Sequence, residues 1–274
     1  KIQISKDDFE QSILAATSSH SEVFESVEPH FKESYLRLSQ QILGEVGEAA
    51  LETSDDLREA VIKAVCLDAF LGVVRHLDLV LTPTGFGVVA NNEVTPASSS
   101  RVEALIEQCR IALIVAQDTV MSHLTVVSGW GSTLQAQQGI QTVVWSMEGY
   151  CYLTRQTSMT SKDWMSKLAA MQEADATLRK LVSDEQMDDI MCLVRGVREG
   201  NEFEGCVRLM LSRSLIMLAN DMLSAYSNER ARLLRYFDAH LDKFPLYANS
   251  SAYKANHFKE FQNEKSRPAF VFNA

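Results

Sequence analysis

The stretch from Leu79 to Ser100, LVLTPTGFGVVANNEVTPASSS, carries a glycine pattern, Gly85-Phe86-Gly87, of the kind that can cradle a phosphate. A phosphate loop needs a helix N-terminus directly behind it, together with a lysine or a third glycine. No GKS or GKT follows, the third glycine is missing, and the next helical pattern opens only at Ser100. The chemistry therefore fails here and a mechanical reading takes its place. Pro83, Gly85 and Gly87 punctuate Val80, Leu81, Val88 and Val89, which favour extended backbone, and Asn91-Asn92 supplies turn chemistry. We expect an extended arm over 79–97, with Phe86 as an apolar anchor and Pro83, Gly85 and Gly87 setting its backbone.

Ionisable groups elsewhere give no catalytic pattern. Asp68 and Arg75 lie seven residues apart on one face of an apolar helix, which suggests a buried ion pair, with His76 beside it. Asp184, Glu185, Asp188 and Asp189 crowd the first turns of one helix, where the helix dipole favours negative charge. That cluster has no EF-hand glycine and no nearby histidine, so no metal site is expected. The six histidines are scattered without HExxH spacing, and no nucleophile elbow or cofactor loop is present. No catalytic residue and no cofactor is expected. Arg195, Arg198, Arg208 and Arg213, then Arg230, Arg232 and Arg235, read mainly as solvent-facing helix residues that make the C-terminal part more basic.

The elements that must position these groups are helical. Ser5 with Asp8, Thr160 with Asp163, Ser183 with Gln186 and Asn201 with Glu204 read as N-caps, and Ser100 with Glu103 as another. A helix beginning near Glu28-Pro29 carries Phe31, Tyr35, Leu38 and Ile42 at helical spacing. The helix after Ser54 is apolar around most of its circumference, from Leu57 to Val74, as a central buried helix should be. Ser227 restarts the last long helix before Pro245. In the glycine-rich stretch 126–158 the periodicity fails, and Thr142 to Trp145 and Tyr150 to Leu153 suggest two strands of a hairpin. The fold class expected is mainly α, a helical bundle in two lobes with an extended arm or small β-hairpin after the central buried helix. The N-terminal lobe spans 1–125, a connecting segment 126–158, and the C-terminal lobe 159–274 with an extended tail whose Phe270-Val271-Phe272 needs cover.

The chain has 274 residues and 46% hydrophobic content, enough for a sizeable core. Its net charge of -10 disfavours direct nucleic-acid recognition, which draws affinity from Lys and Arg. Residues 1–100 hold 7 Lys and Arg against 16 Asp and Glu, leaving 19 against 20 for the remainder. Such polarity suits head-to-tail packing of copies. The five cysteines form no CxxC pair and read as reduced and mostly buried. All ten methionines fall between Met121 and Met222 and read as core fillers. No apolar run reaches the roughly 20 residues of a membrane span. A chain opening on Lys1 is expected to be a trimmed or processed form.

The phrases LDLVLTPTGFGVVANNEVTPAS, SSRVEALIEQ, QGIQTVVWS and NHFKEFQNEKSRPAFVF resemble a family of uncharacterised proteins encoded in prophage-like regions of gut Bacteroidetes genomes. The resemblance implies a phage structural component, similar in helical composition to head-tail connectors or adaptors. It implies a homo-oligomer with portal or tail proteins as partners, present in the host cytoplasm during assembly and then in the virion. Two other classes remain open on the residues alone. One is a helical enzyme or small-ligand-binding protein whose site draws on Asp68, Arg75, His76 and the 126–156 stretch, and the other is a helical regulatory adaptor.

Overall fold

The computed structural model describes residues 2–13, 22–77, 79–82, 85–88 and 98–258. Its fold is mainly α. Helix α1 (Lys6–Ser12) opens on the Ser5–Asp8 capping box, in which Asp8 N–H donates to Ser5 Oγ at 3.2 Å and Ser5 N–H to Asp8 Oδ2 at 2.8 Å. Its Phe9 is buried against the rings of Phe24, Phe31 and Phe70. Helix α2 (Glu22–Leu38) starts one and a half turns earlier than Glu28-Pro29, so Pro29 lies inside it. Packing overrides the local signal there, because Val27 on the earlier turn is fully buried.

A π turn, Ser39–Leu43, leads into α3 (Gly44–Ala50), and a short turn into α4 (Asp55–Val73), whose first N–H groups are capped by Ser54. Helix α4 packs against α2 and the long α5 (Ser99–Leu124), and its Leu57, Val61, Val65, Leu67 and Phe70 are buried. Each such side chain contributes about 1.5–3 kcal/mol, against about 1 kcal/mol for a cap. The central helix is thus held by its neighbours. Helix α5 begins at Ser99 rather than after Ser100, since Glu103 is engaged with Arg75 instead of turning back to cap.

Between α4 and α5 the backbone makes β1 (Leu79–Thr82) and β2 (Gly85–Val88), paired antiparallel with Leu79 opposite Val88 and Thr82 opposite Gly85. Gly85, Phe86 and Gly87 lie on β2. Pro83, the 89–97 part of the expected arm, the Phe86 side chain and the tail 259–274 lie outside what the structure describes.

The hairpin expected within 126–158 is absent from those residues. Helices α6 (Leu134–Gly139) and α7 (Met147–Thr154) take its place, with Tyr150 to Leu153 inside α7 and residues 140–146 without regular structure. The β-forming residue types there lose to tertiary anchoring. Ser146 Oγ accepts from Gly149 N–H at 3.1 Å, and Asp118 Oδ2 accepts from Met147 N–H at 2.8 Å, so two free amides of the α7 start are satisfied.

The remaining helices are α8 (Ser161–Val182), α9 (Asp184–Val194), α10 (Glu202–Ala219), α11 (Leu223–Ala239), α12 (Pro245–Ala248) and α13 (Ser251–Asn256). Thr160, Ser183 and Asn201 cap their helices as expected, whereas α11 starts at Leu223 and runs through Ser227. Helix α10 packs between α8 and α11.

Buried side chains form one continuous cluster from Phe9 to Tyr247, on both sides of the division expected near residue 125. The turn 125–133 is its joint. Trp130 is fully buried and its Nε1–H donates to Ile42 O at 2.9 Å, which ties the π turn to the end of α5. From the other side the 195–197 turn closes on it backbone to backbone. A Cβ on Gly196, whose φ is +75°, would lie 1.7 Å from Thr125 O, and one on Gly131 would lie 2.3 Å from Arg195 O. Glycine is required at both positions.

Candidate docking cleft

The structure separates the groups that the sequence brought together. Asp68 does not pair with Arg75. Its Oδ2 accepts from Arg37 Nη2 at 2.6 Å, and Arg75 instead pairs with Glu103 at 2.9 Å. Seven residues of helix span about 10 Å along the axis, too far for direct contact, while α2 lays Arg37 alongside. Asp68 sits by a small cavity of about 70 Å³ with Ser34, Arg37 and Gln117, and is half-buried rather than buried. Arg75 and His76 are exposed in the turn that follows α4. These groups form no common site with the 126–156 stretch.

Three of the four acids at the start of α9, Asp184, Asp188 and Asp189, are spent on arginines. Arg179 reaches Asp175 and Asp188, both at 2.7 Å, and Asp184 at 3.3 Å. Burial opposes the Arg179 charge, but the hydrogen bonds to Asp188 and Asp175 outweigh it, so its pKa is raised. Arg198 bridges Asp189 and Glu204, each at 2.6 Å. Among the described residues no group of three or more His, Cys, Asp or Glu is placed to hold a metal ion, and no helix is long and apolar enough to cross a membrane. Cys66 and Cys109 are buried, Cys151 and Cys192 half-buried and Cys206 exposed. Burial pushes the Cys66 thiol up to about 12, which keeps it protonated.

Several arginines lack an ion pair among the described residues, and of the two on α10 Arg208 is half-buried while Arg213 is exposed. Arg208 lies on α10 in a cleft of about 290 Å³ between that helix and the 143–149 segment. It forms no ion pair among the described residues, and burial lowers its pKa with no opposing carboxylate. Its natural mate on the helix is Glu204, one turn earlier. That carboxylate faces Arg198 and also accepts from Asn201 N–H at 2.9 Å, and the Arg198 contact holds its pKa below the ordinary value. Ser212 Oγ donates to Arg208 O at 2.8 Å. Ser146 Oγ lines the cleft with its proton uncommitted to the α7 amide that it caps. The donors are a guanidinium and a hydroxyl, and they suit a carboxylate.

The rim of this cleft is apolar and exposed. Tyr152 is 70% exposed and Leu209 42%. Arg155 lies over the Tyr152 ring, 5.2 Å from its centroid, and it too has no acidic partner among the described residues. The wall behind is buried and hydrogen-bonded in place. Val143 and Val144 are buried, Thr142 Oγ1 donates to Val144 O at 2.7 Å, and Arg195 Nε donates to Ile140 O at 3.0 Å. Asn220 Nδ2 donates to Tyr150 Oη at 3.0 Å, which fastens α7 to the end of α10. A half-buried, partly desolvated cation, a hydroxyl donor and an exposed aromatic rim together make a surface that fits an acidic segment with apolar neighbours.

Sequence reading did not single out Arg208 from the other arginines. A signal was nonetheless present: the Asn201–Glu204 capping box already commits Glu204, which removes the acid that would have neutralised Arg208 from the same helix.

Neither a curated protein nor a solved structure matches the chain. A family model does match, over residues 28–133 and 212–257. These segments bracket 134–211, so most of the cleft wall lies between them and the Trp130–Ile42 joint within the first. The match covers more than half of the chain, which therefore belongs to the family of unknown function DUF6712.

Proposed function

We propose that this chain is a non-enzymatic assembly protein that works through contacts between its own copies. The phage or prophage structural role implied by the resemblance, that of a head-tail connector or adaptor, is the setting that fits such a protein. Portal or tail proteins are then its further neighbours, in the host cytoplasm during assembly and afterwards in the virion. The observation that carries this reading is the Arg208 cleft. A guanidinium that is desolvated without a carboxylate costs free energy in the isolated chain, and an arriving acidic group recovers it. Exposed Tyr152 and Leu209 beside it supply apolar area that water does not favour.

The occupant proposed is a second copy, because the charge of the chain is divided between an acidic N-terminal part and a balanced remainder. Sedimentation velocity over a wide concentration range tests it. Reversible association is expected, weakened about tenfold or more by Arg208→Gln or Tyr152→Ser, as substitutions at a binding hot spot do. A single monomer boundary at every concentration contradicts it.

A further inference from the structure

Resting on that self-association, we infer that the part of the second copy that enters the Arg208 cleft is the turn between α3 and α4, led by Glu52. The cleft has room for about 290 Å³, which admits one or two side chains and not a helix. Its occupant is thus a projecting turn that carries a carboxylate. Many other acids are already paired, while unpaired ones in turns, such as Glu199 and Asp221, lie outside any run of acids as dense as that at 45–59. Asp175, Asp184 and Asp188 serve Arg179, Asp189 and Glu204 serve Arg198, Glu103 serves Arg75, and Glu33 and Asp68 serve Arg37.

The α3–α4 turn differs. Between positions 45 and 59 stand Glu45, Glu48, Glu52, Asp55, Asp56 and Glu59, all exposed, with Arg58 as the one cation. Arg58 is held within the turn, where it pairs with Asp55 and donates to Leu51 O at 2.6 Å. Glu48 accepts from Tyr35 and Ser39. Glu45, Glu52, Asp56 and Glu59 have no ion pair among the described residues, and of these Glu52 alone sits in the turn itself, between α3 and α4. A short turn with an exposed, unpaired carboxylate is the shape and charge that suits the cleft.

Cleft and turn are different surfaces of one chain, so their contact is heterologous and each copy uses both. Copies then add head to tail, into a ring if the rotation closes. The pairing is electrostatic at its centre and weakens as salt rises.

A charge-swap experiment on the full chain tests this. Arg208→Glu and Glu52→Arg are each expected to weaken self-association about tenfold or more, with circular dichroism unchanged. Mixed in equal amounts, the two variants are expected to associate, because the Arg208→Glu chain keeps an intact turn and the Glu52→Arg chain an intact cleft. Arg208→Gln serves as the milder cleft variant should Arg208→Glu fail to fold. If the Arg208 variants weaken association while Glu52→Arg does not, or if mixing restores nothing, the turn is not the occupant, and the self-association reading stands without it. A wild-type chain that never associates overturns both.

Discussion

Glu204 points its carboxylate at Arg198, 2.6 Å away, and not at Arg208 one helical turn further on. The arrangement leaves Arg208, half-buried beside an exposed tyrosine, without an ion pair among the described residues, and the functional reading grows from it. The acid at i−4 from Arg208 is thus already engaged in a neighbouring ion network.

Removing Arg198 should therefore act at a distance. In Arg198→Gln the Glu204 carboxylate loses its partner and becomes available to Arg208 at i+4 spacing. Self-association is expected to weaken severalfold, and stability to fall by about 1–3 kcal/mol, the scale of a lost charge-assisted hydrogen bond in a partly buried site. Urea unfolding and sedimentation measure the two effects separately. Association unchanged by the substitution would show that Glu204 does not govern the state of Arg208.

Asp118 gives a pH dependence with a definite sign. It is 7% exposed, and burial pushes its carboxyl up to about 7, against the Met147 N–H that favours the anion and with Glu148 adding to the rise. The folded chain thus binds this proton more tightly than the unfolded chain does. Its stabilising contribution is fully present below the ordinary value of 3.8 and is lost as pH rises through about 7. Asp118→Asn keeps an acceptor for Met147 without the charge. It is expected to be more stable than the parent by about 1–3 kcal/mol at pH 8, with the gap closing towards pH 4. Urea midpoints at the two pH values measure this, and an equal gap at both would contradict it.

The re-paired arginines can be told apart by double-mutant cycles. Arg37 and Asp68 are expected to couple by about 0.5–1 kcal/mol, as partly exposed pairs do. Asp68 and Arg75 should show no coupling, since Arg75 belongs to Glu103. Chemical denaturation of the single and double alanine variants supplies both numbers. A measurable Asp68–Arg75 term would restore the pair suggested by their spacing.

These pairs also mark how far the sequence could be read. Ser5 with Asp8, Thr160 with Asp163 and Asn201 with Glu204 were legible because a cap and its partner lie within one turn, where local spacing fixes geometry. The buried face of α4 was legible for the same reason, from its apolar period. Arg37 was not, because it comes 31 residues before Asp68 and only the packing of α2 on α4 brings them together. Helix α7 is not legible as a helix because its Tyr150 and Tyr152 favour extended backbone, and the deciding group, Asp118, lies 29 residues upstream. The candidate site was the least legible part. Its walls come from the 143–149 segment and α10, and its key property is an arginine with no acidic neighbour among the described residues.

Amide hydrogen exchange of the full chain, compared at low and high protein concentration, tests the central claim most directly. Association through the Arg208 cleft predicts concentration-dependent protection in the peptides covering 143–153 and 205–212, with the 45–59 peptides protected alongside if the α3–α4 turn is the occupant. Exchange at 143–153 and 205–212 that does not change with concentration, or protection confined to other surfaces, would contradict it.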